Sequence, residues 1–156
     1  MITGSRPGAV LVLMLSAAMT QACESKPSPA RTVTAPSPAG GDPASWHLAP
    51  GQSLTASSTG FTALVSRMDC NGGVTGQVLP PAIRSTSSEI VVTFTVAAKS
   101  PGPAPCQGNN QVPYEVELGE PLQGRALVDG LCGEGGTQAG TAFCEPTATR
   151  YPVPGR

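Results

Sequence analysis

The sequence predicts an all-β domain, an antiparallel sandwich braced by two disulfides, and three observations carry that expectation. Two segments, Glu89 to Ala98 and Val112 to Leu118, alternate apolar with polar residues at a period of two and are rich in β-branched side chains. Turn-forming Gly, Pro and Asn separate short apolar runs at intervals of about ten residues. No window of helical length carries the 3.6-residue repeat.

The elements follow in chain order. Arg6 opens the chain with a positive charge, Ala9 to Met19 is a continuous apolar run, and Thr20-Gln21-Ala22-Cys23 closes it with a small residue before cysteine. A run of about 11 residues is too short to span a bilayer permanently, so residues 1–22 are expected to be a signal peptide. This amino terminus resembles that of bacterial lipoproteins, although Thr20 stands where Leu is commonest and Gln21 where Ala or Ser is usual. The resemblance implies that Cys23 is diacylated, with palmitate-type chains, and becomes the mature terminus. Ordinary cleavage after Ala22 is the alternative, and it would leave a secreted protein with a free Cys23. Cysteine parity favours the lipid: of five cysteines, one acylated leaves Cys70, Cys106, Cys132 and Cys144, an even number suited to two disulfides in an oxidising exterior.

Residues 23–45 follow as a tether. From Glu24 to Pro43 only Val33 is an aliphatic residue larger than Ala, too little apolar surface to offset the chain entropy of folding. With Pro every few positions, the segment is expected to be a disordered, semi-extended spacer.

Residues 46–156 form the domain, long enough to bury one core. Charged residues make up 12% of the chain and aromatics 4%, while 19 Gly and 17 Pro exceed ordinary usage. The core must then come from Val, Leu, Ile and Ala, with many turns. In the first strong segment Ile90, Val92, Phe94 and Val96 share one face; in the second, Val112, Tyr114, Val116 and Leu118 face inward while Glu115 and Glu117 face water. Ser53 to Ser57, Phe61 to Met68, Val74 to Leu79 and Arg125 to Asp129 are weaker strand candidates. Pro80 and Pro81 keep their neighbourhood out of a central strand, and Pro113 puts its own strand at an edge or begins it there. An immunoglobulin-like or similar sandwich accommodates these strands.

The strand order also suggests how the cysteines pair. If the strand after Phe61 ends at Cys70, and the Val74 strand runs antiparallel to the one after Glu89, then Cys106 returns to the sheet end that carries Cys70. Four cysteines allow three connectivities; the one expected closes loops of about 37 residues (Cys70–Cys106) and about 13 residues (Cys132–Cys144), contributing roughly 4 and 3 kcal/mol. The second bridge pins a glycine-rich loop, Gly130 to Gly140.

Candidate chemistry is sparse. The closest two domain cysteines are 12 positions apart, unlike the paired knuckles of structural zinc sites. There is no G-x-S-x-G elbow or S-x-x-K, and the only histidine, His47, lies beside Trp46 at the tether's edge, expected to be an ordinary residue of the first turn. Glu115 and Glu117 are two apart on one strand face, loosely in the range of a glycosidase acid/base pair, but alternation already explains them as a solvated face. Glu120, Asp129 and Glu134 lack the D-x-D-x-D-G calcium pattern, and the glycine-rich loop lacks the Gly-Lys-Ser/Thr ending of a phosphate loop. Arg125 and Asp129 are expected to form a buried or half-buried pair that fixes a strand. No cofactor is implied.

The formal net charge of −1 supplies no basic field for nucleic acid. Beyond the amino terminus, Gly119 to Gly130 and Cys106-Gln107-Gly108-Asn109 are similar to segments of small actinobacterial lipoproteins, a resemblance that implies no particular activity. The expectation is an exported, non-enzymatic lipoprotein, held on the outer face of the cell membrane by its lipid, whose β domain binds an envelope protein or small ligand or supports the envelope. Two alternatives stand beside it: a secreted inhibitor or ligand carrier using the Cys132–Cys144 loop, and an envelope hydrolase built on Glu115, Glu117 or Asp129.

Overall fold

The computed structural model describes residues 40–145 and 147–153. Within them lie seven strands: β1 (Asp42–Leu48), β2 (Gly60–Arg67), β3 (Ala82–Ser85), β4 (Glu89–Val96), β5 (Val112–Glu117), β6 (Ala126–Asp129) and β7 (Thr149–Tyr151). A single 3-10 turn, Ala142–Cys144, interrupts the loop between β6 and β7. The domain is all β, as its alternating segments require.

The strands run in the order β5-β2-β1-β4-β6-β7, with β3 on the other side of β4. Every pairing is antiparallel except that of β4 with β6, which is parallel. The sheet is therefore mixed, which corrects the wholly antiparallel expectation. The reason is a long connection: the chain leaves β4, makes β5 at the far edge of the sheet, and crosses back to β6 in the same direction as β4. β5 is an edge strand with Pro113 in it, as a strand proline requires.

β4 is the hub. One of its edges holds β3 and, further on, a bridge from Val78 to Val96. Its other edge is shared: β6 takes Glu89 to Val92, and β1 takes Phe94 to Val96. The sheet forks there, and the two arms curl over one another. Phe94 on β4 and Tyr114 on β5 have ring centroids 5.4 Å apart, although two strands lie between them in the sheet. Laid flat, three strand spacings would separate them by roughly 14 Å, so the layers close face to face. Between them Trp46, Phe61, Val65, Ile90, Val92, Phe94, Val116 and Leu127 form the core. Trp46 stacks on Phe61 at 5.0 Å and meets Phe94 edge-on.

Three strands lie outside the sequence expectation. β1 begins at Asp42, inside the segment read as tether, and its Ala44 and Trp46 point into the core; His47 is thus an exposed strand residue and not part of a turn. β3 starts directly after Pro80-Pro81 and pairs only with β4, and β7 is three residues long. Conversely, Ser53 to Ser57 forms no strand and ends in a turn at Ala56 and Ser57, closed by the Ser58 amide on the Thr55 carbonyl, and Val74 to Leu79 contributes only the Val78 bridge. Residues 1–39, which include the expected signal peptide, Cys23 and most of the expected tether, lie outside the described residues.

Candidate functional site

The four domain cysteines pair as Cys70–Cys106 and Cys132–Cys144. The first bridge ties the loop after β2 to the loop before β5, beside a buried polar knot. Arg67, 4% exposed, donates to the Asp42 carboxylate, to the Ala97 carbonyl and, through Nε, to the Thr75 carbonyl at 3.1 Å. Thr75 in turn donates its amide to Asn110 Oδ1 at 2.9 Å, and Asn109 Nδ2 reaches the carbonyls of Arg67 and Asp69. The Lys99 amide, foremost, and the Arg67 guanidinium hold the Asp42 carboxyl below the usual aspartate range.

The expected Arg125–Asp129 pair does not form. Arg125 instead binds Glu120 at 3.0 Å and the Leu122 and Pro121 carbonyls, locking the turn before β6. The Ser85 hydroxyl, foremost, and Arg125 lower the Glu120 pKa. Asp129, fully buried, pairs with Arg150 of β7 at 2.9 Å. It sits in the fork of the sheet, where β1 has left β4 and the Trp46 amide has lost its strand partner. One carboxylate oxygen accepts that amide at 3.1 Å and the other accepts the Leu131 amide at 3.1 Å. The Trp46 indole donates to the Val92 carbonyl at 3.0 Å across the same gap. Glu120, Asp129 and Glu134 thus lie in separate environments, and among the described residues no three of His, Cys, Asp and Glu converge as a metal-binding group.

Two of the surface concavities bear on the candidate residues. The larger, about 730 Å³, is an open groove on the outer face of β2 and β5 that holds Glu115 and Glu117 with Gln52 and Thr62. Gly60 faces Glu117 across the strand pair, so no side chain fills that part of the groove. Glu115 accepts the Thr62 hydroxyl at 2.8 Å. Both glutamates are exposed, in keeping with the solvated-face expectation.

The smaller is a cleft of about 330 Å³ under the Cys132–Cys144 loop. Val91 and Val128 point away from the main core and form its floor, each under 10% exposed. The loop closes over them: the Gly130 amide donates to the Val92 carbonyl, and Cys132 and Gly133 amides to the Asp129 carbonyl. A Cβ at Gly130 would fall 1.9 Å from Thr93 Oγ1, so only glycine allows this approach. Arg84, Glu89 and Glu134 complete the cleft. The sequence pointed to the pinned loop and Glu134 but not to Arg84, which lies on the unforeseen β3, nor to Glu89, which opens a foreseen strand but has no local signal that it faces this loop. At the far end of the loop Phe143 is exposed, whereas Phe61 and Phe94 are buried. Compared with protein-family models, curated proteins and solved structures, the chain matches none.

Proposed function

We propose that the chain is an exported lipoprotein, anchored to the outer face of the cell membrane by acyl chains on Cys23, whose β domain binds a ligand without catalysing a reaction on it. The observation that carries the export and anchor is the cysteine bookkeeping. All four domain cysteines are spent on two internal bridges, which fits an oxidising exterior and leaves Cys23, behind its lipobox-like sequence, for lipid. Binding without catalysis is supported by how the polar side chains are used. Arg67, Arg125, Asp129 and Arg150 are buried in networks that fasten loops to strands, while Glu115 and Glu117 stand in an open, solvated groove.

A second reading, a secreted ligand carrier, is favoured by one feature: the disulfide-pinned loop walls the more enclosed cleft. Intact mass of the protein from its native membrane fraction, with and without reduction and thiol alkylation, separates the two. A diacylglycerol-sized increment on a chain beginning at Cys23, with no alkylatable thiol before reduction, is the expected result. An unmodified chain recovered from the medium overturns the anchor, and thiols reactive before reduction overturn the bridges.

A further inference from the structure

Of the described arginines, Arg67, Arg125 and Arg150 are each nearly buried and each engaged with a carboxylate and backbone carbonyls. Arg84 differs. It is exposed, makes no ion pair or side-chain hydrogen bond among the described residues, and stands at the rim of the cleft under the pinned loop. Glu89 and Glu134 face the same cleft, and their carboxylates are likewise without an ion-pair partner among the described residues. A guanidinium and two carboxylates thus share one concavity without neutralising one another. Between them the cleft floor is apolar: Val91 and Val128, 8% and 7% exposed, show only an edge, beside Gly133, which adds no side chain over it.

We propose that this cleft binds a small zwitterion of the α-amino acid class with an aliphatic side chain. Arg84 takes the carboxylate, for which a guanidinium offers two parallel donors. Glu89 and Glu134 take the ammonium group, and the aliphatic side chain rests on the two valines. At about 330 Å³ the cleft is at the small end of sites that enclose metabolites. The Cys132–Cys144 bridge holds the wall that carries Gly133 and Glu134, so the site is formed before the ligand arrives and the ordering cost of binding is reduced. This assignment deepens the ligand-binding half of the function proposed above and is independent of the lipid.

Equilibrium dialysis of the full chain against labelled L-valine, with N-acetyl-L-valine and L-valinamide as competitors, tests it. One saturable site is expected, with each blocked form competing at least tenfold more weakly because it lacks one of the two charges. Arg84→Gln is expected to weaken valine at least tenfold while leaving the binding of valinamide, which has no carboxylate, unchanged. Gly133→Val is expected to abolish binding by filling the cleft: its backbone is not in the left-handed region, and a Cβ there meets Val128 at an ordinary 3.4 Å. Should Gly133→Val fail to fold, Glu134→Gln, an exposed change, carries the test with an expected tenfold loss. Absence of saturable binding of valine, alanine and leucine by a chain with native melting overturns the ligand class. Valine binding indifferent to Arg84→Gln overturns the site. Neither result alters the mass of Cys23, which alone decides the anchor.

Discussion

A single side chain, Asp129, replaces what a strand would supply. Where β1 and β6 part along β4, the Trp46 amide points into the gap and a buried, unpaired N–H would cost about 1–3 kcal/mol. The Asp129 carboxylate fills that vacancy and neutralises Arg150, whose side chain is 4% exposed. Asp129→Ala leaves Arg150 charged and buried without its partner, and it is expected to destabilise the domain by about 3–5 kcal/mol, read from the urea midpoint by the fluorescence of Trp46, the chain's one tryptophan. Asp129→Asn keeps one carbonyl acceptor and is expected to cost less; a loss under about 1 kcal/mol for the alanine variant would show that the fork does not depend on this carboxylate. Beside it, partial desolvation of the exposed His47 ring by its neighbours, foremost, and the Arg150 charge hold the His47 pKa below its ordinary 6.5, against the opposing pull of Asp129. Because the unfolded chain then binds the proton more readily than the folded one, stability falls as pH drops below 6.5 towards the folded pKa. Asp42 and Glu120 lose their contribution at lower pH, since their folded pKa values lie below the ordinary 3.8 and 4.5. With a single histidine in the chain, His47→Gln is expected to flatten the urea midpoint between pH 7 and 5.5; an unchanged slope would assign the effect elsewhere.

At the scale of elements, β2, β4, β5 and β6 were legible because each carries its own hydrophobic pattern; the cysteines pair as Cys70–Cys106 and Cys132–Cys144 even though the Val74 segment, expected as the strand that brings Cys106 back to Cys70, is reduced to the Val78 bridge. The remaining strands obtain their pattern from neighbours. Asp42 to Ser45, the first half of β1, reads as tether by composition, yet Ala44 alternates with Trp46 into the core once β2 lies beside them. β3 is made by pairing to β4, and β7 by pairing to β6 and by the Tyr151 hydroxyl on the Leu54 carbonyl at 2.8 Å. The Arg125–Asp129 expectation failed for the same reason: local spacing suggested a pair, but β7 brings Arg150 closer. Of the site, the pinned loop and Glu134 were visible in sequence, whereas Arg84 enters the cleft only through β3. The two bridges act on loops of different length. Cys70→Ala with Cys106→Ala is expected to cost about 4 kcal/mol and Cys132→Ala with Cys144→Ala about 3 kcal/mol, measured as differences in denaturant midpoint. Equal or reversed losses would show that the bridges act by holding native contacts, the buried Arg67 knot or the loop over Val91, more than by shortening the unfolded chain.

For the molecule as a whole, the use of its cations decides how it meets a membrane. Arg67, Arg125 and Arg150 are turned inward, so the described surface offers Arg84 and Lys99 against Asp69, Glu89, Glu115, Glu117, Glu134 and Glu145. A surface with that balance is repelled by anionic head groups and by nucleic acid phosphates, and no helix among the described residues is long and apolar enough to cross a bilayer. Membrane attachment in the proposed function therefore falls to the acyl chains, each buried CH₂ contributing about 0.8 kcal/mol and two chains being enough for stable anchoring. The expected outcome is that the native chain sediments with vesicles containing anionic lipid at physiological salt, whereas Cys23→Ser stays in the supernatant with unchanged melting. Lowering the ionic strength lengthens the reach of the surface charge and is expected to leave the Cys23→Ser chain unbound. Sedimentation of Cys23→Ser to the level of the native chain would mean that the β domain carries its own affinity for lipid, and the exposed Phe143 would then be the first residue to replace.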